Sequence, residues 1–277
     1  MGRFSRTWRM MGASWAVLKQ DKELLVFPVL STLAMVLVLI SFASPLLNGG
    51  VRQHLERGDH SGVIVYAGMF LVYLAVYFVM IFFNAAIVAC ALQRMSGSDP
   101  TIGFGLAAAW KRLPQIFGWA LVTSTVGLIL RAIEERVGVI GQIVVAVLGM
   151  TWTVTSFLVV PVLVNEGKGP FDAYSDSVAM LKRSWGEQII GNVSFGLIFM
   201  VLGIVPVGLV ILATMSGSQP ATDAALVICA AYLIVATLVQ STLQAIYQAA
   251  VYRYARNGAA PEGFDAELLA GSFRRRM

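Results

Sequence analysis

Five side chains able to hydrogen-bond recur in the last apolar stretch of the chain: Thr237, Gln240, Ser241, Gln244 and Gln248. Steps of three and four residues put them on one helix face, with Tyr252 continuing the row. Such a stripe can line a watery groove for a polar solute. It can equally bond across to a neighbouring helix, at about 0.6 to 2 kcal/mol per amide. The second use is the better one, with Asn84 and the run Thr151, Thr153, Thr155 and Ser156 as expected partners.

Other chemistry-bearing residues are few. His54 and His60 stand near Glu56 and Asp59, but six-residue spacing is unlike a two-histidine helical metal site, and a solvated loop is expected. Glu166 sits before Gly167-Lys168-Gly169-Pro170, where a turn or cap role suits it better than a gating one. No phosphate-cradling glycine loop, His-Glu-x-x-His or Gly-x-Ser-x-Gly occurs, and Asp, Glu, Lys, Arg and His are missing from the middle of the apolar runs. The sequence therefore points away from an enzyme, a proton-coupled pump and an intramembrane hydrolase. No cofactor or metal is expected.

The elements that would carry these residues belong to a membrane. The chain has 277 residues, 58% of them hydrophobic and 13% charged, against about 25% charged in soluble domains. Cys90 and Cys229 lie inside apolar runs and read as small buried hydrophobes. The fold class expected is all-α, a single membrane domain over 1–255 followed by a basic tail at 256–277. Six spans are expected near 24–47, 62–92, 115–131, 139–164, 189–215 and 224–252. The first is too long for a secretory signal core, and a retained span is expected.

Each pair of spans forms a hairpin preceded by a short amphipathic helix. Phe4, Trp8, Met11, Trp15 and Leu18 make the first apolar stripe. Ile102, Leu106, Ala109 and Leu113 make the second, with Ser98-Asp99-Pro100 as its cap. Phe171, Tyr174, Val178, Leu181 and Trp185 make the third. Trp8, Trp15, Trp110 and Trp185 are the expected anchors at the headgroup layer.

Charge sets the orientation. With six spans, 16 Lys and Arg fall on the side holding both termini and 4 (Arg52, Arg57, Arg131 and Arg136) on the other. Under the positive-inside rule both termini face the cytosol across a bacterial inner membrane. The expected partners are the bilayer, anionic headgroups and a membrane protein or second copy. Topology already explains the basic charge, so nucleic acid is not among them.

Several runs are similar to a family of bacterial and archaeal six-span membrane proteins of unknown function. They are Trp15-Ala-Val-Leu-Lys-Gln-Asp-Lys-Glu-Leu-Leu-Val-Phe-Pro28, Asp99-Pro100, Gly118-Trp119-Ala120-Leu121, Val160-Pro161 through Gly169-Pro170, and Ser184-Trp185-Gly186. The run from Val160-Pro161 to Gly169-Pro170 with Ser184-Trp185-Gly186 also resembles a broader set of multi-span proteins with repeated helix–hairpin units. The resemblance implies a fold and a membrane location and supplies no catalytic residue. The functional expectation is a non-enzymatic module that binds a protein or lipid partner at its cytosolic face. The alternative is a transporter or channel for a small polar solute along the sixth-span stripe.

Overall fold

The computed structural model describes residues 3–47, 61–183, 188–258, 260, 261 and 264, and every regular element among them is helical. In order they are α1 (Arg3–Gln20), a 3-10 turn (Lys22–Leu25), α2 (Val26–Leu47), α3 (Ser61–Arg94), α4 (Ile102–Lys111) and α5 (Leu113–Glu134). There follow α6 (Val139–Thr155), α7 (Val159–Glu166), α8 (Pro170–Arg183), α9 (Gln188–Met215) and α10 (Gln219–Asn257).

Five segments are long and apolar enough to cross a membrane: Lys22–Ala43, Phe70–Arg94, Leu113–Glu134, Val139–Glu166 and Gln219–Asn257. The expected span at 189–215 falls on α9, whose described apolar part, Phe199–Met215, is shorter. The expected span at 139–164 is two helices, α6 and α7, with an interruption at 156–158.

The chain divides into two compact units. One comprises Met1–Leu25, Ala91–Asp99 and Leu181–Met277. In it α1 packs on α9 and α10, and α9 packs along α10. Met10, Ser14, Val17 and Leu18 form the buried row of α1. That row shares Leu18 with the apolar stripe expected of the sequence, whereas Trp8 and Trp15 of the stripe are exposed. The buried part of α10 is Leu243 to Tyr252 apart from the half-buried Gln244, with Ala245 and Ala249 within it. Their four-residue spacing lets another helix approach closely. Within α9, Pro206 has no N–H for the Leu202 carbonyl, and the Tyr232 hydroxyl of α10 donates to that oxygen instead, at 3.3 Å.

The other unit is Val26–Cys90 with Pro100–Met180. Here α5 packs against α4, α6 and α7. The cap of α4 is Thr101 rather than Ser98, its hydroxyl accepting from the Phe104 N–H at 3.1 Å. Pro100 thus lies ahead of the helix, and the Asp99 carboxylate is occupied elsewhere. Gly105 is the contact point of α4. A Cβ there would lie 2.6 Å from Phe27 Cζ, 2.7 Å from Cys90 Sγ and 3.0 Å from the Ala86 carbonyl oxygen. Phe78 and Phe82 of α3 meet Phe117 and Trp110 edge-on, at 6.1 and 6.5 Å between ring centres.

Candidate functional site

The polar groups converge at helix ends and at one helix interruption. At the close of α1, Asp21 is almost wholly buried, 7% exposed. A carboxylate there needs a partner that also fills its lone pairs. Arg94, from the last turn of α3, supplies both: Nε and Nη2 donate to the two Asp21 oxygens, and Nη2 reaches Asp99 as well. Arg253 of α10 donates to the Leu92 carbonyl at 3.3 Å and to Ser96 Oγ at 2.7 Å. Two arginines thus tie the 92–99 turn to α1 and α10. Local spacing gave no sign of the pair, since 73 positions separate Asp21 from Arg94.

The outward side of α1 is different in kind. Trp8 and Trp15 are 57% and 42% exposed, and the Lys19 ammonium stands 6.0 Å from the Trp15 ring centre. Arg9 is exposed on the same helix, and α1 contains no acidic residue. Trp110, on α4, is 69% exposed. Of the expected anchors, these three face outward; Trp185 lies outside the described residues.

A second polar junction surrounds the Glu166–Pro170 turn. Gly167 ends α7 in the left-handed region, φ 69°, and the Arg112 guanidinium fills the space its Cβ would need. Arg112 Nε donates to the Val164 carbonyl at 3.2 Å, among the last carbonyls of α7 where a cation is favoured. Gln115 Nε2 donates to the Gly167 carbonyl at 3.4 Å. Lys168 lies 3.0 Å from Glu166 and also pairs with Asp176. Those two acids, Asp176 foremost, hold its ammonium above the usual lysine range. Glu166 therefore serves the turn.

The third feature is the gap between α6 and α7. Ser177 of α8, fully buried, donates to the Thr155 carbonyl at 2.6 Å and accepts from the Leu158 N–H at 3.2 Å. Tyr174 OH lies 3.0 Å from Thr155 Oγ1. Its ring stacks on Trp152, and Trp152 on Trp119, at 5.2 and 5.6 Å. The stripe expected of α8 is kept in part, with Tyr174 stacked and Leu181 buried. Ala173, Ser177 and Met180 point inward, while Phe171 is 74% exposed.

The sixth-span stripe is divided along α10. Thr237 and Ser241 are exposed and turn their hydroxyls back to the Leu233 and Leu238 carbonyls, at 2.8 and 2.9 Å. Gln240 and Gln244 are half-buried, and Gln248 is buried beside Tyr247. Asn84 Oδ1 is buried with no hydrogen-bond partner among the described residues. The threonines of the fourth span bond to their own helix: Thr151 to Val147, Thr153 to Gly149 and Thr155 to Thr151, at 2.8 to 2.9 Å. His54, His60 and the tail arginines Arg274 to Arg276 lie outside the described residues. Among those described, no cluster of His, Cys, Asp and Glu could hold a metal ion.

Residues 63–263 match the model of a family of unknown function, DUF6159. The chain belongs to that family. The DUF6159 match covers α3 almost entirely and everything from there through α10, so it includes the interrupted span, the Arg112 junction and Arg94, and leaves out α1 and α2. No curated protein and no solved structure matches the chain.

Proposed function

We propose that this DUF6159 protein is a six-span protein of the bacterial inner membrane, with both termini in the cytosol, which binds a lipid or protein partner at its cytosolic face without catalysing a reaction. The observation that carries the reading is the outward side of α1. Two exposed tryptophans alternate there with Arg9 and Lys19, on a helix free of acids. Tryptophan favours the headgroup layer, and each basic residue near an anionic leaflet is worth about 1 kcal/mol. The inner side of α1 rests on α9 and α10 and is fixed through Asp21, so this face is presented on a braced support. The basic bias of the cytosolic loops supports the orientation.

The test is twofold. Accessibility labelling in spheroplasts is expected to place both ends and Lys111 on the cytosolic side. Crosslinking from that side, with lipids co-purified in mild detergent, is expected to capture anionic lipid or a defined protein, and Trp8→Ala with Trp15→Ala to weaken the capture. Termini on opposite sides, or no partner and no lipid preference, would overturn the reading.

A further inference from the structure

We propose that the interrupted fourth span is a two-position joint that responds to bilayer thickness, with Ser177 as its latch. In an unbroken helix the Leu158 N–H would pair with the Val154 carbonyl, and the Val159 N–H with that of Thr155. Here Phe157 N–H takes the Val154 carbonyl at 3.2 Å and Val159 N–H takes Ser156 at 3.1 Å. The two groups left over, Leu158 N–H and Thr155 C=O, both go to the Ser177 hydroxyl. A straight span would satisfy the same groups within itself. Ser177 would then turn its hydroxyl to the carbonyl four residues back in α8, a common bond for a helical serine. Two sets of hydrogen bonds are thus open to one sequence, differing by a side-chain rotation and a bend, and the continuous set lacks only a donor for the Phe157 carbonyl, because Pro161 has no N–H.

The segment before the joint is built to yield. Thr151, Thr153, Thr155 and Ser156 all donate to carbonyls three or four residues back, which weakens and bends a helix. The two arms differ in surroundings. Val159 to Val164 of α7 are buried, whereas Ile140, Ile143 and Met150 of α6 are 82%, 61% and 57% exposed. The α6 arm, which packs on α5 along one side only, is therefore the less enclosed of the two and the one that would move.

Length supplies the driving variable. Val139–Glu166 has 28 residues, about 42 Å if straight, against a hydrocarbon core of about 30 Å. A bend or tilt shortens the projection, and a thick bilayer favours the straight form. The inference rests on the membrane reading of the fold. Failure of that reading would show as failure to insert into vesicles, and failure of the joint as an unchanging distance in protein that has inserted.

The experiment places spin labels at Ile140 and Asn165 in the full chain, with Cys90 and Cys229 changed to alanine. Distances are measured in vesicles of short-chain and long-chain phosphatidylcholine. A straight helix gives about 37 Å between the two backbone positions. The expected result is a shorter main distance in thin bilayers and a growing population near the straight value in thick ones. Ser177→Ala should populate the longer distance in both lipids, and Tyr174→Phe should do so to a smaller degree if the alanine variant does not fold. One distance, the same in thin and thick bilayers, overturns the proposal. So does a thickness response that Ser177→Ala or, failing that, Tyr174→Phe leaves unaltered.

Discussion

The Leu202 carbonyl, left without its helical donor by Pro206, accepts from the Tyr232 hydroxyl of the neighbouring helix at 3.3 Å. A proline in a membrane-type helix costs little where a neighbour meets the freed carbonyl, and here the neighbour can be named. Tyr232→Phe keeps the ring and deletes the bond, so it should destabilise the protein by about 1 kcal/mol. In a Pro206→Ala background the helix supplies its own donor, and the same change should cost nearly nothing. Denaturant unfolding of the four proteins in one detergent gives the coupling directly. Equal costs in both backgrounds would mean that the hydroxyl serves something other than the proline.

Gly105 and Gly103 make a matched pair for a packing prediction. Both glycines lie in α4, yet only one is open. A Cβ at Gly103 meets nothing closer than Thr101 Oγ1 at 3.9 Å, whereas one at Gly105 strikes Phe27, Cys90 and Ala86. Gly103→Ala should be neutral or stabilising, by up to about 1 kcal/mol from helix propensity. Gly105→Ala should destabilise by about 1 to 3 kcal/mol through overpacking. Thermal unfolding in detergent should separate the two in sign. Similar effects would mean that α4 does not pack on Phe27 and Cys90 as described.

How much of this was legible beforehand depends on range. Apolar runs and their breaks are local, and they located α2, α3, α5, α9 and α10 to within a few residues. The helical stripes found α1, α4 and α8, and the tryptophans expected at the headgroup layer, Trp8, Trp15 and Trp110, are exposed. The small residues on the inward sides, Ser14, Gly105, Ala173 and Ser177, do not stand out in an apolar pattern. Asp21 with Arg94, Arg112 with Val164 and Ser177 with Thr155 were illegible, because each joins positions far apart in sequence. A run of four Ser and Thr beside a proline-bearing segment was the one local sign of the interruption, and it suggested interhelical partners instead.

Gly167 carries a backbone prediction. Its positive φ costs an L-residue about 1 kcal/mol or more, and the Arg112 guanidinium occupies the space above it. Gly167→Ala should therefore destabilise by about 2 kcal/mol. Part of that should return in Arg112→Ala, which removes the clash but leaves the strain. Unfolding of the single and double variants checks it. A double variant whose cost is the plain sum of the two would show that Arg112 does not lie over the turn.

The Asp21–Arg94 pair should be asymmetric to mutation. Arg94→Ala leaves a carboxylate that is 7% exposed without its bidentate donor, and breaking a buried pair in this way costs about 3 to 5 kcal/mol. Asp21→Ala removes the buried charge itself, and Arg94, which is 23% exposed, keeps Asp99 and water. Its cost should be about half as large. Because the pair closes α1 against the rest of its unit, loosening should appear there first. Limited trypsin digestion is expected to cut after Lys19 or Lys22 fastest in Arg94→Ala, more slowly in Asp21→Ala and slowest in the unmodified protein. If Asp21→Ala were the faster of the two, the carboxylate would be doing more than answering Arg94, and the way α1 is held would need another explanation.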